Sequence, residues 1–434
     1  MIENPFTFGN PIREPGRFYG RKEELRQVTN RLLSSAHEST SIVGERRMGK
    51  TSLLKYLSHP EVAPSLGLTP ERYCLIYIDF QGLTDITPQR FWQRVLSKMA
   101  GSVCSSRLQT AIEAMRRSES FDLFDLEDLC EAIASEGLTT VLLLDEFEYV
   151  TQNPNFKPDF FGGLRALAIH HNLPLVTATR RELVDLCHSE ELKGSPFFNI
   201  FANVVLHPFR KEEVTGMVEA YLAETGLAFP ADGKERIYRL AGGNPFFVQI
   251  AGYYLVEAQA KGLPKEDLQR QMAAQFEQQA DPHFSYMWSH CSESEKITLL
   301  VTISLNGQRP GKKTLPNLEN LAKIHPRARL DVPMLVKRGL LYEDLAQANC
   351  YRLLSESLER WINREIAAGE EDEESPASVE SWLKSGGKEM VEPLKGALPR
   401  FKKKYWPILS TVLQEMSFEL AGAATFEFLV KALI

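Results

Sequence analysis

Short, mainly apolar runs mark the first half of the chain, at 41–43, 73–80, 140–144, 173–178 and 202–206. Segments of helical period separate them. Near-continuous apolar runs suit strands buried on both faces, so the pattern predicts an α/β fold: a mostly parallel sheet covered by helices on each side. After Pro208 the strand-like runs stop, and 211–225, 232–241, 245–261 and 266–279 read as helices of a compact helical subdomain. A third region opens at Ser292, which with Glu295 fits a capping box ahead of a helix. Two further helices are expected at 315–324 and 330–338, and two hairpin strands at 339–342 and 350–353. Three helices and a hairpin make a winged helix. The acidic run Glu370-Glu371-Asp372-Glu373-Glu374 repels itself and reads as a linker. No internal repeat is visible. The expected division is a core with an N-terminal segment at 1–207, a helical lid at 208–283, a winged helix at 284–366, a linker at 367–378 and an all-α C-terminal module at 379–434.

The chemistry is concentrated where strands end. Gly44-Glu45-Arg46-Arg47-Met48-Gly49-Lys50-Thr51, followed by Ser52, is a complete G-x-x-x-x-G-K-T loop between the first apolar run and a helical pattern. Bare, it is a glycine-rich turn. Between a strand and a helix it is a phosphate-binding loop (P-loop), whose backbone N–H groups and helix N-terminus cradle phosphate oxygens. Lys50 would reach the β- and γ-phosphates and Thr51 would hold Mg²⁺. Asp145-Glu146 ends the third run. The first acid would orient Mg²⁺ and the second would polarise a water against the γ-phosphate. Glu148 reads as structural or peripheral. Arg180, at the end of the fourth run, is placed to contact a γ-phosphate, with Arg181 beside it as the competing assignment. Gly242-Gly243-Asn244-Pro245 reads, taken bare, as a helix stop followed by a proline start.

Composition excludes some classes. With 434 residues, 43% apolar and 25% charged, the chain has ordinary globular content and length for several domains. A net charge of −7 does not suit a protein that coats nucleic acid. The six cysteines are widely spaced, without ligand-like clusters, and read as reduced thiols of a cytosolic protein. The first residues lack a basic start and an apolar core, so no secretory leader is expected, and no apolar run is long enough for a membrane span.

In their order along the chain, these segments resemble the STAND class of signal-transduction NTPases, relatives of the AAA+ ATPases, and most nearly bacterial and archaeal members with AAA-like domains. The resemblance covers about residues 4 to 366. It rests on Asn4-Pro5-Phe6, Phe18-Tyr19-Gly20-Arg21, the loop at 44–51, Leu-Leu-Leu-Asp-Glu-Phe-Glu at 142–148, Thr-Ala-Thr-Arg at 177–180, Gly-Ser-Pro-Phe-Phe-Asn at 194–199, Gly-Gly-Asn-Pro-Phe-Phe at 242–247 and Leu-Val-Lys-Arg-Gly-Leu-Leu at 335–341. It implies that Phe18, Tyr19, Gly20 and Arg21 frame an adenine, with Arg21 on the nucleotide side. It also implies that Pro245 packs on the base and that Arg180 senses the γ-phosphate. Cofactors would be ATP and Mg²⁺, and the protein a slow ATPase acting as a switch.

Two departures qualify the resemblance. Residues 194–201 carry no arginine where ring motors place a finger, which argues for a switch over a fast motor. The winged helix lacks the Met-His-Asp motif through which eukaryotic relatives read ADP. Arg327, Arg329, Lys337 and Arg338 would lie around its third helix, so a DNA-associated ATPase is the alternative reading, opposed by Asp331, Glu343 and Asp344 nearby. A non-hydrolysing scaffold is the other. Lys395, Arg400 and Lys402-Lys403-Lys404 interleave with Phe401, Tyr405 and Trp406, and the C-terminal module is the expected site of a protein partner or of self-association.

Overall fold

All five apolar runs are strands: β1 (Thr40–Val43), β2 (Tyr73–Asp79), β3 (Thr139–Asp145), β4 (Leu175–Thr179) and β5 (Ala202–Val205). They form one parallel sheet in the order β2-β3-β4-β1-β5. The computed structural model describes residues 3–189, 193–223, 225–306, 315–344 and 347–368, so the predicted C-terminal module at 379–434 lies outside the described residues.

Strand β3 shows why the runs are mainly apolar. Val141 and Leu143 join one core with Leu25 and Val28 of α1 (Lys22–Leu32) and Leu53 and Leu54 of α2 (Lys50–Leu57). Leu142 and Leu144 join the opposite core with Phe91 and Val95 of α3 (Pro88–Ala100). That second core also takes Ile112 of α4 (Ser106–Arg117), Leu126 and Leu129 of α5 (Leu123–Ser135) and Leu164 of α7 (Pro158–His170). The short helix α6 (Glu148–Thr151) follows β3 directly. Alternate side chains therefore enter different cores, and a polar residue on either face would be buried without a partner.

The order of strands matters more than their number. β4 is inserted between β1 and β3, with Val43 opposite Thr179 and Leu144 opposite Thr177. The carboxyl end of β4 is thus flanked by the loop leaving β1 on one side and the acids leaving β3 on the other. A backbone bond from Gly44 N to Thr179 O (3.1 Å) continues the β1–β4 ladder into the loop, and one from Phe147 N to Ala178 O (3.1 Å) holds the β3 exit against β4.

The chain divides into two compact units: Met1–Ala228 with Asn244–Gln249, and Phe229–Gly243 with the chain from Ile250 onward. The boundary expected at 207/208 does not coincide with this division, because α8 (Lys211–Leu222) belongs to the first unit. Its Tyr221 ring packs on Phe6 (centroids 5.3 Å apart), and its hydroxyl donates to the Arg17 carbonyl. Helix α10 (Pro245–Ala260) begins in the first unit; its N-cap Asn244 accepts from Phe246 N (3.0 Å) and Phe247 N (3.3 Å).

The second unit holds α9 (Ala231–Ala241), α11 (Lys265–Ser289), α12 (Glu293–Leu305), α13 (Leu318–Ile324) and α14 (Ala328–Lys337). An antiparallel hairpin, β6 (Leu341–Asp344) and β7 (Gln347–Leu353), and α15 (Glu356–Ala368) complete it. The boundary expected at 283/284 falls inside α11, which continues through Pro282. A proline removes one helical hydrogen bond, but tertiary packing carries the helix past it. Asp281 accepts from Trp361 Nε1 (3.0 Å) and pairs with Arg364, both on α15. The capping box is present: Ser292 Oγ accepts from Glu295 N (3.2 Å) and Ser292 N donates to Glu295 Oε2 (2.7 Å). Arg338, one of the four expected cations of the third helix, is buried and donates to Glu295 (3.1 Å), so it braces the unit rather than facing outward. Ser294, Thr298, His325 and Asp331 form a buried polar node. Its residue types match a nucleophile triad, but Ser294 (2.8 Å) and Asp331 (3.3 Å) both face the same ring nitrogen, Nε2, so His325 cannot relay a proton between them.

Candidate functional site

The loop after β1 is shaped by its second glycine. Gly49 caps α2 with φ +91°, a backbone conformation that no residue with a Cβ takes cheaply, and the space beside it is open. The first turn of α2 follows at once, placing Lys50 and Thr51 at a helix N-terminus. Lys50 is buried and its Nζ donates to the carbonyls of Gly44 (2.7 Å) and Glu45 (3.2 Å), arching over the loop. Thr51 lies close to Asp145, and its hydroxyl favours the charged form of that carboxylate. Asp145, 1% exposed, also accepts from the Tyr77 hydroxyl (2.9 Å) and, through Oδ1, from Glu146 N (3.0 Å).

Glu146 has φ +52°, because the chain must turn at once to bury Phe147 and bond its N–H to Ala178. That turn leaves the Glu146 side chain on the wall of a cavity of about 360 Å³, within the range of small-molecule sites. Lys50, Thr51 and Ser52 line the same cavity, as do Phe18, Tyr19, Arg21, Arg46, Arg47, Met48 and Gly49. So does Pro245. Gly20, Gly44 and Glu45 lie just outside this lining, in the backbone that carries it, and Asp145 sits behind Thr51. Arg180 is likewise not on the wall. Its Nε donates to Glu148 Oε1 at 2.9 Å. Glu148, read from spacing as peripheral, is 1% exposed and is the ion-pair partner of the candidate sensor. The neighbouring Arg181 is exposed.

The opposite wall was not legible as such. Thr7 to Ile12 run along the cavity, fixed by Ile12 N donating to Ser52 Oγ (3.1 Å) and Thr7 N to Gln249 Oε1 (3.1 Å). Gln249 Nε2 in turn donates to the Tyr221 hydroxyl (2.9 Å), so the N-terminal segment, α8 and α10 share one network. Gln81, Met217, Tyr221, Phe209, Phe246 and Gln249 complete the lining. Gly216 of α8 makes room for Tyr19: a Cβ there would overlap the tyrosine hydroxyl oxygen. Asn244 Nδ2 reaches Met48 Sδ (3.3 Å), and the Arg47 guanidinium lies 4.7 Å from the Phe246 ring centre, tying the loop to the start of α10.

Arg21 does more inside the protein than its sequence position suggested. It is 5% exposed, with its guanidinium bonded to Glu24 (2.9 Å), to the Met48 carbonyl (3.1 Å) and to the His207 carbonyl, over the Phe209 ring. It clamps the loop to α1 and to the β5 exit. Arg21, Arg47 and Glu146 all have positive φ and all line the cavity, so backbone strain gathers around it.

The electrostatics are of opposed charges held out of water. Burial pushes the Asp145 carboxyl above its usual range, against the hydroxyls of Thr51 and Tyr77. Burial and the charge of Glu148 raise Glu146, while Lys50, Arg180 and Arg46 pull it down. A divalent cation beside Thr51 and Asp145 and a polyphosphate along the loop would each meet opposite charge here. The hydroxyl–carboxylate pair and the open cradle at Gly49 fit both groups.

The novel STAND NTPase 2 family matches residues 29–306, more than half of the chain. The chain belongs to this family. It is thus a STAND-class P-loop NTPase, and its five-stranded parallel sheet is the fold of that class. No curated protein matches it. Among solved structures, this STAND NTPase is similar to a Walker-type ATPase of Pyrococcus abyssi, with 18% identity, TM-score 0.51, and 82% of this chain and 98% of that one covered. It is also similar to the ORC2 protein of Aeropyrum pernix, solved with ADPNP and ADP, with 17% identity, TM-score 0.50, and 84% and 99% covered. Likeness at this identity concerns the fold. Among the described residues of the STAND NTPase, no helix is long and apolar enough to cross a membrane.

Proposed function

We propose that this STAND NTPase binds ATP with Mg²⁺, hydrolyses it slowly, and changes conformation or oligomeric state with the nucleotide it holds. The observation that carries the reading is one cavity lined at once by Lys50, Thr51 and Glu146 and by Pro245, Phe18 and Tyr19. The first group suits a triphosphate and the second an aromatic base. Thr51 and Asp145 would hold Mg²⁺, which would neutralise phosphate charge. Lys50 would exchange its two carbonyl acceptors for phosphate oxygens. Glu146, held basic by burial, would accept a proton from the attacking water. Arg180 would read the γ-phosphate.

Adenine is favoured over guanine because the chain has no N-K-x-D motif and because the Aeropyrum pernix neighbour was solved with adenine nucleotides. A role in signalling or defence, in the cytoplasm, is part of this reading and is supported by the STAND family alone. The alternative of a DNA-binding third helix is weakened by the burial of Arg338. A partner or second copy would engage the C-terminal module.

The test is calorimetry with ATP, ADP and GTP on the wild type and Lys50→Ala. ATP should bind more tightly than GTP, and the variant should lose a charge-assisted contact of about 1.5–3 kcal/mol, roughly 10- to 150-fold in affinity. Unchanged affinity in the variant, or equal displacement by GTP, would refute the assignment. Light scattering in ATP, ADP and no nucleotide then tests the switch.

A further inference from the structure

We propose that Glu148 sets the discrimination between nucleoside tri- and diphosphate by competing with the γ-phosphate for Arg180. This rests on reading Arg180 as the residue that meets that phosphate. Arg180 follows Thr179, whose carbonyl is bonded to Gly44 at the start of the phosphate loop, so it stands between that loop and the acids of β3. Its side chain is 29% exposed, whereas Glu148 is 1% exposed and fixed as the first residue of α6. One carboxylate oxygen of Glu148 takes the Arg180 Nε at 2.9 Å, and the other, Oε2, is buried without a hydrogen-bond partner.

A carboxylate in that position depends on Arg180 for compensation. Any ligand that draws Arg180 away must offset the loss of the pair and leave Glu148 buried beside Glu146. A triphosphate brings a terminal phosphate to repay this. A diphosphate brings nothing, and Arg180 stays on Glu148. The pair is therefore a threshold that makes the response to the third phosphate depend on how firmly Glu148 holds on. Glu148 is a specificity-determining residue that touches no substrate; it acts through Arg180.

The experiment measures ATP and ADP dissociation constants by calorimetry for the wild type, Glu148→Gln, Arg180→Ala and the double variant, with melting temperatures as folding controls. Glu148→Gln keeps the shape and a hydrogen bond but removes the charge, which halves the strength of the bond. ATP affinity should rise about tenfold relative to ADP, because the neutral amide no longer competes. Arg180→Ala should bring the two nucleotides toward equal affinity, and Glu148→Gln should add nothing on top of it. A merely structural role for Glu148 would weaken both nucleotides alike. If Glu148→Gln narrows the ratio as Arg180→Ala does, Glu148 aims the arginine rather than restraining it, and the proposal is overturned. An unchanged ratio overturns it too. If Arg180→Ala itself leaves the ratio at its wild-type value, the sensor reading has failed and the proposal falls with it. Should Glu148→Gln not fold, Glu148→Met, which matches its volume without a polar atom, should widen the ratio at least as far.

Discussion

Gly216 lies in the middle of α8, where local propensity and tertiary packing make opposite demands. In an exposed helix interior, replacing glycine by alanine stabilises by about 1 kcal/mol. Here the added Cβ would overlap the hydroxyl oxygen of Tyr19, with the ring Cζ next at 3.2 Å. Forcing an extra carbon into a packed site costs about 1–3 kcal/mol, so Gly216→Ala should be a net loss of about 1 kcal/mol. For a unit of about 230 residues, the size of the first one, that is a fall of about 2–4 °C in melting temperature. The sign should depend on one oxygen atom. In the Tyr19→Phe background the overlapping atom is gone and the Cζ contact relaxes by a few tenths of an ångström, so the same substitution should be neutral or stabilising. Because Tyr19 lines the cavity, Gly216→Ala in the wild-type background should also weaken ATP binding. Thermal melts and ATP titrations of the four proteins in this cycle decide the matter. Equal shifts in both backgrounds, or a rise in melting temperature from Gly216→Ala alone, would show that Tyr19 does not press on α8.

Glu146→Gln should retain nucleotide and lose turnover, since an amide has no basic site; phosphate release at the wild-type rate would move the base elsewhere. Tyr77→Phe removes the 2.9 Å bond to buried Asp145 and should cost about 1.5–3 kcal/mol of stability in nucleotide-free protein, with the deficit reduced by Mg²⁺ and ATP; a loss that the ligand leaves untouched would separate Tyr77 from the metal site. The Asp331 carboxyl is pushed up by burial, but hydrogen bonds from His325, Ser294 and Thr298 outweigh this and hold it below its ordinary value. A lowered acid stabilises the fold above its unfolded value near 4 and stops doing so as pH falls through the folded value. The melting advantage of wild type over Asp331→Asn should therefore shrink from pH 5 toward pH 3, and an advantage that grows on acidification would contradict the node.

The sheet was legible because burial on both faces leaves an unambiguous trace, and the phosphate loop because its glycines and Lys50 must fall at fixed spacing. The β3 acids were legible for the same reason. What the sequence hid depends on contacts between distant segments. Tyr77 is an ordinary strand tyrosine until β2 is laid beside β3, and Glu148 is an ordinary helix start until β4 brings Arg180 alongside. Gln249 and Tyr221 carry no motif; only the fold joins them to Thr7. The helix through Pro282 misled the reading of boundaries because its support comes from Trp361 and Arg364, about eighty residues later. One faint signal was available for the far wall: a glycine inside the helical pattern of 211–225, which propensity alone disfavours.

The left-handed residues around the cavity set natural selection and laboratory selection at odds. Arg21, Arg47 and Glu146 each hold a backbone conformation that costs an L-residue on the order of 1–2 kcal/mol and that glycine or asparagine adopts more readily. A screen that rewards heat resistance alone would drift toward glycine and asparagine at Arg47 and Glu146, but not at Arg21, whose buried bonds outweigh its strain. Its winners would melt later while losing the cation over Phe246 and the acid on the cavity wall. Retaining such costly residues is a debt that only a working site repays, so a lineage in which both have relaxed together should have given up the nucleotide before it gave up the fold.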